Sequence, residues 1–207
     1  ADLAYCGYER LLDSGKIRNY KYKYCNGKIL LDTINETSWV PIQGILINRD
    51  LLIRKAIEFP EGCSIGEDLE FLFKILSIAD AVAVPKTLVT YRLRTGSASQ
   101  ATGWRKQLQV IDALCRVDDF IKNKIEGDQY IKVSQALSEK TAYSLFRIAW
   151  KMLKNKELHT DVLSLLTDKQ YSQLLLHSIN PSKMKFRNRL QYKILTSRSR
   201  MIWRILS

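Results

Sequence analysis

Residues 59–99 read FPEGCSIGEDLEFLFKILSIADAVAVPKTLVTYRLRTGSAS and indicate how the first half of this chain folds. The carboxylates of Glu67 and Asp68 directly follow Gly66 and precede apolar residues at three- and four-residue spacing. Because such spacing puts apolar side chains on one helix face, we predict a helix over residues 67–79. Two acids in a first helical turn also offset the positive end of the helix dipole.

The strand region after this helix ends in a segment rich in arginine and serine. We predict short strands over residues 81–84 and 87–93, separated at Pro85, which cannot donate a hydrogen bond to a sheet. The exit reads YRLRTGSAS. An acid that can accept a proton, followed by donors that can hold phosphate oxygens, suits transfer of a group from a phosphorylated donor to a hydroxyl.

The preceding residues predict further strands and one short helix. Residues 3–9 and 39–47 have the apolar character of strands, and Asn26-Gly27 is the strongest short hairpin signal in the chain. Asn48 can cap a short helix. The first portion is therefore predicted to be mixed α and β.

From Trp104 onward the pattern is helical throughout. Apolar residues recur at three and four on two faces, namely Leu108, Ile111, Leu114, Cys115, Val117 and Phe120, and then Ala142, Leu145, Phe146, Ala149, Trp150 and Leu153. Gly127 separates the two faces, and shorter helices are predicted over residues 160–166 and 169–176. We therefore expect an all-helical C-terminal extension.

Positive charge is concentrated at the C-terminus. The formal net charge is +12, and after Asp168 the chain has nine Lys and Arg residues and no acid. On a helix over residues 181–207, one apolar stripe is formed by Leu190, Ile194, Met201 and Ile205. Each basic residue near an anionic leaflet contributes ~1 kcal/mol, so we predict a basic amphipathic helix on an anionic membrane surface. The alternative is a helix packed on the domain with a solvated basic side.

Composition indicates the compartment and the absence of a zinc site. No run approaches the ~20 apolar residues of a membrane span, and the start lacks the basic head and apolar core of a signal peptide. The four cysteines are far apart and form no Cys-x-x-Cys motif. They are Cys6, Cys25, Cys63 and Cys115. We expect a cytoplasmic protein with reduced thiols and no zinc.

Residues 57–99 resemble the second half of bacterial family-two glycosyltransferases of the GT-A fold. Members often carry Phe-Pro-Glu-Gly, then Gly-Glu-Asp before an aromatic-rich helix, then a strand ending in Tyr-Arg and Gly-Ser-x-Ser. Residues 1–8 and 44–49 fit the same register, so the resemblance covers about the first hundred residues. It implies an α/β fold: the second half of a Rossmann-like GT-A domain over residues 1–102, followed by a helical extension over 103–180.

The resemblance also implies a preceding nucleotide-binding half. In the family that half ends in an Asp-x-Asp motif that holds a divalent metal, Mn or Mg, against the donor diphosphate. This sequence contains no Asp-x-Asp, and Asp118-Asp119 is a bare pair inside a helical pattern. We therefore expect a fragment in which no metal ligand is present.

Asp68 matches the catalytic base of the family. In an inverting transfer this carboxylate draws the proton from the acceptor hydroxyl, an effect worth ~10² to 10⁴ in rate. We assign Glu67 to orienting Asp68 or contacting the acceptor. The alternative is that both acids only stabilise the start of the helix.

Arg92, Arg94 and Ser97 are the predicted contacts to the donor diphosphate. The two arginines flank one residue and so share a face of a strand, and an arginine fork can make two hydrogen bonds to phosphate. Many family members carry histidine where Arg94 stands, and arginine cannot ligate a metal. The alternative is the solvent-facing side of an edge strand.

Trp39 and Gln43 are candidates for the acceptor site. An aromatic face stacks on sugars, and Gly44 permits close approach of a backbone. A tryptophan in the core is the competing interpretation.

The resemblance implies a glycosyltransferase of the hexosyltransferase type in bacterial surface polysaccharide synthesis. It would pass a sugar from a nucleotide-diphosphate donor to a glycan or lipid-linked acceptor at the inner face of the plasma membrane. The alternative is a non-catalytic truncated module whose basic helical tail binds anionic membrane or nucleic acid. No nucleic-acid partner is expected, because no recognition motif surrounds the basic residues.

Overall fold

The computed structural model describes residues 1–92 and 103–206 and has a mixed α/β fold. A small sheet contains β1 (Leu3–Leu11), β2 (Ile17–Arg18), β3 (Ile45–Ile47) and β4 (Ala81–Arg92). β1 is central and pairs in parallel with β4. Its other edge pairs antiparallel with β3 near its start and with β2 near its end.

Ten helices complete the described part of the chain. Three belong to the sheet region: α1 (Leu30–Ile34), α2 (Arg49–Lys55) and α3 (Glu67–Leu76). The others are α4 (Trp104–Gln107), α5 (Gln109–Ile121), α6 (Gly127–Leu153), α7 (His159–Thr167), α8 (Lys169–His177), α9 (Phe186–Thr196) and α10 (Arg200–Leu206). Short 3₁₀ turns lie at Ile42–Gly44, Lys156–Leu158 and Pro181–Lys183.

β4 is one strand rather than the predicted two. Val84 lies opposite Cys6 and Thr87 lies opposite Gly7, so Pro85 falls where the register shifts. An irregularity at this point leaves the missing proline N–H without consequence for the ladder. The strand therefore continues past Pro85 instead of ending there.

The hairpin predicted at Asn26-Gly27 is wrong. The hairpin connects β1 and β2, and its turn contains Gly15 at φ +77°. Gly27 instead forms an isolated bridge with Ala81, and the Asn26 side chain accepts a hydrogen bond from the Ala83 backbone N–H at 2.8 Å. The Asn-Gly pair thus holds its segment against β4, because long-range pairing overrides the local turn preference.

The strand predicted over residues 39–47 is mostly irregular. Only Ile45–Ile47 forms a strand, after the turn at Ile42–Gly44. The helix capped by Asn48 is confirmed, since the Asn48 side chain accepts a hydrogen bond from the Asp50 backbone N–H at 2.9 Å. This helix ends at Ala56, whose φ is +50°.

The buried residues of the described part of the chain form two hydrophobic cores. The first core lies between the sheet, α1, α3, α5 and the first half of α6, and extends to Leu137. The second lies among the later helices and includes Phe146, Tyr192 and Trp203. Residues of α5 and of the first half of α6 therefore pack with the sheet region in the first core, and the domain boundary near Gly103 stays a prediction.

The C-terminal segment contains two helices rather than one. α9 and α10 are separated by residues that include Arg198 at φ +53°. Leu195 and Trp203 are buried, whereas Leu190 and Met201 of the predicted stripe are 50% and 75% exposed. The break rotates the helices, so a single continuous stripe does not form.

Candidate functional site

Gly66 allows the start of α3 to lie directly against α5. Its φ is +94°, a left-handed conformation that favours glycine. A Cβ added at Gly66 would lie 3.0 Å from the Val110 Cα and 3.1 Å from the Ala113 Cβ. The glycine before the two acids is therefore required both by backbone conformation and by helix packing.

Glu67 and Asp68 occupy the first turn of α3. Among the described residues, neither carboxylate has a hydrogen-bond or ion-pair partner. Although Asp68 is exposed as a whole, partial burial of its carboxyl raises its pKa, and the negative charge of Glu67 raises the pKa further. A carboxylate with a raised pKa and a free lone pair is a better proton acceptor than an ordinary aspartate.

Glu70, one turn further along α3, is the acid that sequence reasoning missed. It is 1% exposed and contacts the Lys74 Nζ at 2.6 Å and the Arg116 Nη2 and Nε at 2.7 and 3.0 Å. Burial acts to raise its pKa, but the hydrogen bonds and charges of Arg116 and Lys74 outweigh burial and the pKa of Glu70 is lowered. Its four-residue spacing from Lys74 is visible in the sequence, whereas its pairing with α5 is not.

The loop before Gly66 is fastened to the same two helices. The Gln109 side chain accepts a hydrogen bond from the Ser64 backbone N–H at 3.0 Å and donates one to the Gly62 carbonyl at 3.4 Å. Phe59 stacks on Phe71 with ring centroids 4.0 Å apart. The two free carboxylates therefore lie on a well-supported turn.

The predicted diphosphate contacts are only partly within the described residues. Arg92 is exposed at the end of β4, opposite Leu11. Arg94 and Ser97 lie outside the described residues. No contact between Arg92 and Asp68 is present in the described part of the chain, so their convergence on one cleft stays a prediction.

A cluster of tyrosines surrounds Arg10 near Arg92. The Arg10 guanidinium lies 5.7, 5.4 and 5.9 Å from the ring centroids of Tyr8, Tyr20 and Tyr91, and it donates a hydrogen bond to the Tyr8 hydroxyl at 3.1 Å. Cation–π contacts of this kind each contribute ~0.5 to 1 kcal/mol at exposed sites. The cluster fixes the ends of β1 and β4, from which the predicted donor-binding segment continues.

Trp39 and Gln43 lie on the connection before β3. Trp39 is 49% exposed and is therefore not the core tryptophan of the competing interpretation, and Gln43 is exposed on the 3₁₀ turn. A Cβ on the adjacent Gly44 would lie 3.0 Å from the Cys6 carbonyl oxygen, so the turn packs closely on β1. Within the described residues no contact joins either side chain to Asp68.

A basic groove of about 790 Å³ is lined at one end by Ile65, two residues before Glu67 in sequence, and continues along α6. Ile65 and Val110 line the end next to Gly66. Its charged lining consists of Arg147, Lys151, Lys154 and Arg187. Sequence reasoning missed this site, although residues 140–156 contain five Lys and Arg and no acid.

The described residues contain no cluster of three or more His, Cys, Asp or Glu side chains that could hold a metal ion. All four cysteines are free. No helix in the described ranges is long and apolar enough to cross a membrane.

Comparisons with known proteins give no further assignment. No protein-family model, no curated protein and no solved structure matches this chain significantly.

Proposed function

We propose that this chain is the acceptor-side portion of an inverting glycosyltransferase that uses a nucleotide-diphosphate sugar. The observation that carries the proposal is the state of Asp68: a carboxylate with a raised pKa, with no hydrogen-bond or ion-pair partner among the described residues, at a firmly supported helix start. Supporting sequence features are the Gly-Glu-Asp motif and the arginine- and serine-rich exit of β4.

Asp68 acts as the general base in this proposal. Its carboxylate takes the proton of the acceptor hydroxyl while that oxygen forms a bond to the anomeric carbon. The bond from that carbon to the donor phosphate oxygen breaks, and the nucleoside diphosphate leaves with the bonding electron pair. Glu67 orients Asp68 or contacts the acceptor, and its charge keeps the base strong by raising the pKa of Asp68.

The leaving diphosphate is assigned to Arg92, Arg94 and Ser97. Guanidinium and hydroxyl donors stabilise the charge that develops as the phosphate departs. The divalent metal implied by the resemblance would neutralise the same diphosphate when bound. Trp39 and Gln43 remain candidates for the sugar acceptor, since a half-exposed indole can stack on a sugar ring.

The direct test is sugar transfer by this chain combined with the donor-binding half that the proposal requires, from a panel of uridine, guanosine and thymidine diphosphate sugars with Mn²⁺ or Mg²⁺, followed by release of nucleoside diphosphate. We expect Asp68→Asn to lower the rate by ~10² to 10⁴ without lowering the melting temperature. Asp119→Asn, at an exposed carboxylate of α5, is the matched control and should retain full activity. Equal rates in the two variants would contradict the assignment of Asp68.

A second candidate function is membrane binding by the C-terminal helices. Phe186, Leu190 and Met201 are exposed by 73%, 50% and 75%, and Arg and Lys residues surround them in sequence. Exposed apolar side chains among cations favour an anionic membrane interface. The wild-type protein should sediment with anionic vesicles, and the double variant Phe186→Ser/Met201→Ser should not. Equal sedimentation of the wild type with neutral vesicles would count against binding to an anionic membrane.

A further inference from the structure

The basic groove has a lining that is unusual in lacking any counter-charge. Arg147 and Lys151 belong to α6, Lys154 follows the last residue of that helix, and Arg187 belongs to α9. No acid lines the groove in the part of the chain that the structure describes. None of these four cations forms an ion pair with a described residue.

A neighbouring hollow on the same surface contains lysines that form ion pairs with acids. This hollow of about 550 Å³ shares Tyr143, Arg187 and Asn188 with the groove. Two of its three lysines are paired: Lys140 contacts Glu36 at 2.9 Å, and Lys183 contacts Glu139 at 3.8 Å, whereas Lys185 has no ion pair with a described residue. Acids therefore offset part of the positive charge of this hollow, whereas no acid lines the groove in the described part of the chain.

The shape of the groove is fixed by a contact between its two walls. The Asn188 side chain donates a hydrogen bond to the Tyr143 hydroxyl at 2.7 Å, which joins α9 to α6. Trp150, partly exposed, adds an aromatic face to the lining. The groove is thus a bounded concave site with cations and one large ring, rather than a row of lysines on a convex surface.

The groove also lies next to the candidate catalytic turn. Ile65 lines it, and Asp68 follows only three residues later. Val110, which Gly66 approaches closely, belongs to the same lining. An extended ligand in the groove would therefore lead toward the start of α3.

We propose that this groove binds a diphosphate group on the acceptor. The assignment of the diphosphate to the acceptor rests on the proposed function. The assignment of the groove as a diphosphate-binding site depends only on the groove's own residues. Two guanidinium forks and two ammonium groups suit the several oxygens of a diphosphate ester, and the ring of Trp150 suits an apolar or sugar group attached to it. The diphosphate can come from a lipid-linked carrier or from a soluble molecule, since both present the same anion.

The test is calorimetric titration of the full chain with inorganic pyrophosphate and with farnesyl diphosphate at low ionic strength. We expect Arg147→Gln/Lys151→Gln to weaken binding of both probes about 10- to 100-fold. The control Lys122→Gln/Lys132→Gln removes the same charge at exposed positions outside the groove and should bind as the wild type does. A charge-preserving variant, Arg147→Lys/Lys151→Arg, should retain most of the affinity, which separates loss of charge from loss of fold.

The outcomes distinguish a carrier-linked from a soluble diphosphate, and they test the groove separately from the proposed sugar transfer. Tighter binding of farnesyl diphosphate than of pyrophosphate identifies a carrier-linked group, and equal binding identifies a soluble diphosphate. Absence of binding, or equal weakening in the groove and control variants, overturns the inference. So does an RNA oligomer that displaces both probes at far lower concentration. Asp68→Asn should leave diphosphate binding in the groove unchanged. Diphosphate binding without any sugar transfer by the wild type would contradict the proposed function but not the groove as a binding site.

Discussion

The charged side chains on α3 and those on α6 differ in whether they have partners of opposite charge. On α3, the buried Glu70 is satisfied by Lys74 and Arg116. On α6, Arg147 and Lys151 line one groove together with Lys154, which directly follows the helix, and no acid lines this groove in the described part of the chain. A buried charge must be paired for the fold to be stable, whereas exposed unpaired charges cost little and can be used for binding. The difference separates charge that serves the fold from charge that is open to a ligand.

Removing one arginine from each cluster gives the largest expected contrast in stability. Arg116→Ala leaves the Glu70 carboxylate with Lys74 as its remaining charged partner, so the free energy of unfolding should fall by about 1.5 to 3 kcal/mol. Arg147→Ala removes an exposed side chain and should change it by less than about 0.5 kcal/mol. Urea denaturation of both variants measures the contrast, and equal losses would remove the distinction.

The turn that carries the free carboxylates can be broken at its glycine. Gly66→Ala imposes a side chain at φ +94° and against the Val110 backbone, so we expect a loss of about 1 to 3 kcal/mol. Gly103→Ala is the matched control, because a Cβ there meets nothing within 4 Å among described atoms. Thermal denaturation of both variants checks this, and a neutral Gly66→Ala would show that α3 need not lie so close to α5.

Acid should weaken the ion pairs of Glu70 in the α3 cluster. The pKa of Glu70 is lowered in the folded protein from an ordinary value of 4.5. Its stabilising contribution is therefore fully present above pH 4.5 and is lost as pH falls through the lower folded pKa. Unfolding free energy measured against pH should fall less steeply below pH 4.5 in Glu70→Gln than in the wild type, and identical slopes would argue against the pairing.

Neutralising a groove cation should have the smallest effect on stability, and it should stabilise the fold slightly rather than destabilise it. Arg147 and Lys151 are four residues apart on α6, and like charges at this spacing destabilise a helix by about 0.2 to 0.5 kcal/mol. Arg147→Gln should therefore raise the melting temperature slightly, whereas Lys151 lies in the last turn of α6, where the helix dipole favours a cation. Lys132→Gln, on the same helix and outside the groove, is the comparison. A fall on neutralising Arg147 would contradict repulsion between the two groove cations.

Elements held by contacts between residues close in sequence could be predicted from the sequence, whereas elements held by contacts between distant residues could not. The strand at the start, the cap at Asn48 and the helix after Gly66 depend on neighbouring residues, and the structure confirms them. The helix ends at Leu76 rather than at residue 79. The Asn26-Gly27 turn failed because a distant strand, β4, captures that segment.

The site was only partly predictable for the same reason. Glu67 and Asp68 stand out because they follow a glycine at a helix start. Glu70 was missed because its partner Arg116 is on α5, 46 residues away. The groove was missed because only packing brings Arg187 opposite Arg147, although the cations on α6 share a helical face that could have been noticed.

The pH dependence of sugar transfer tests the role of Asp68 most directly. Partial burial and Glu67 raise the pKa of Asp68, so the rate should rise with pH through a midpoint above the ordinary aspartate value of 3.8. Glu67→Gln should move that midpoint to lower pH, because it removes the neighbouring negative charge. An acid limb that is absent, or that does not move in Glu67→Gln, would contradict Asp68 as the base.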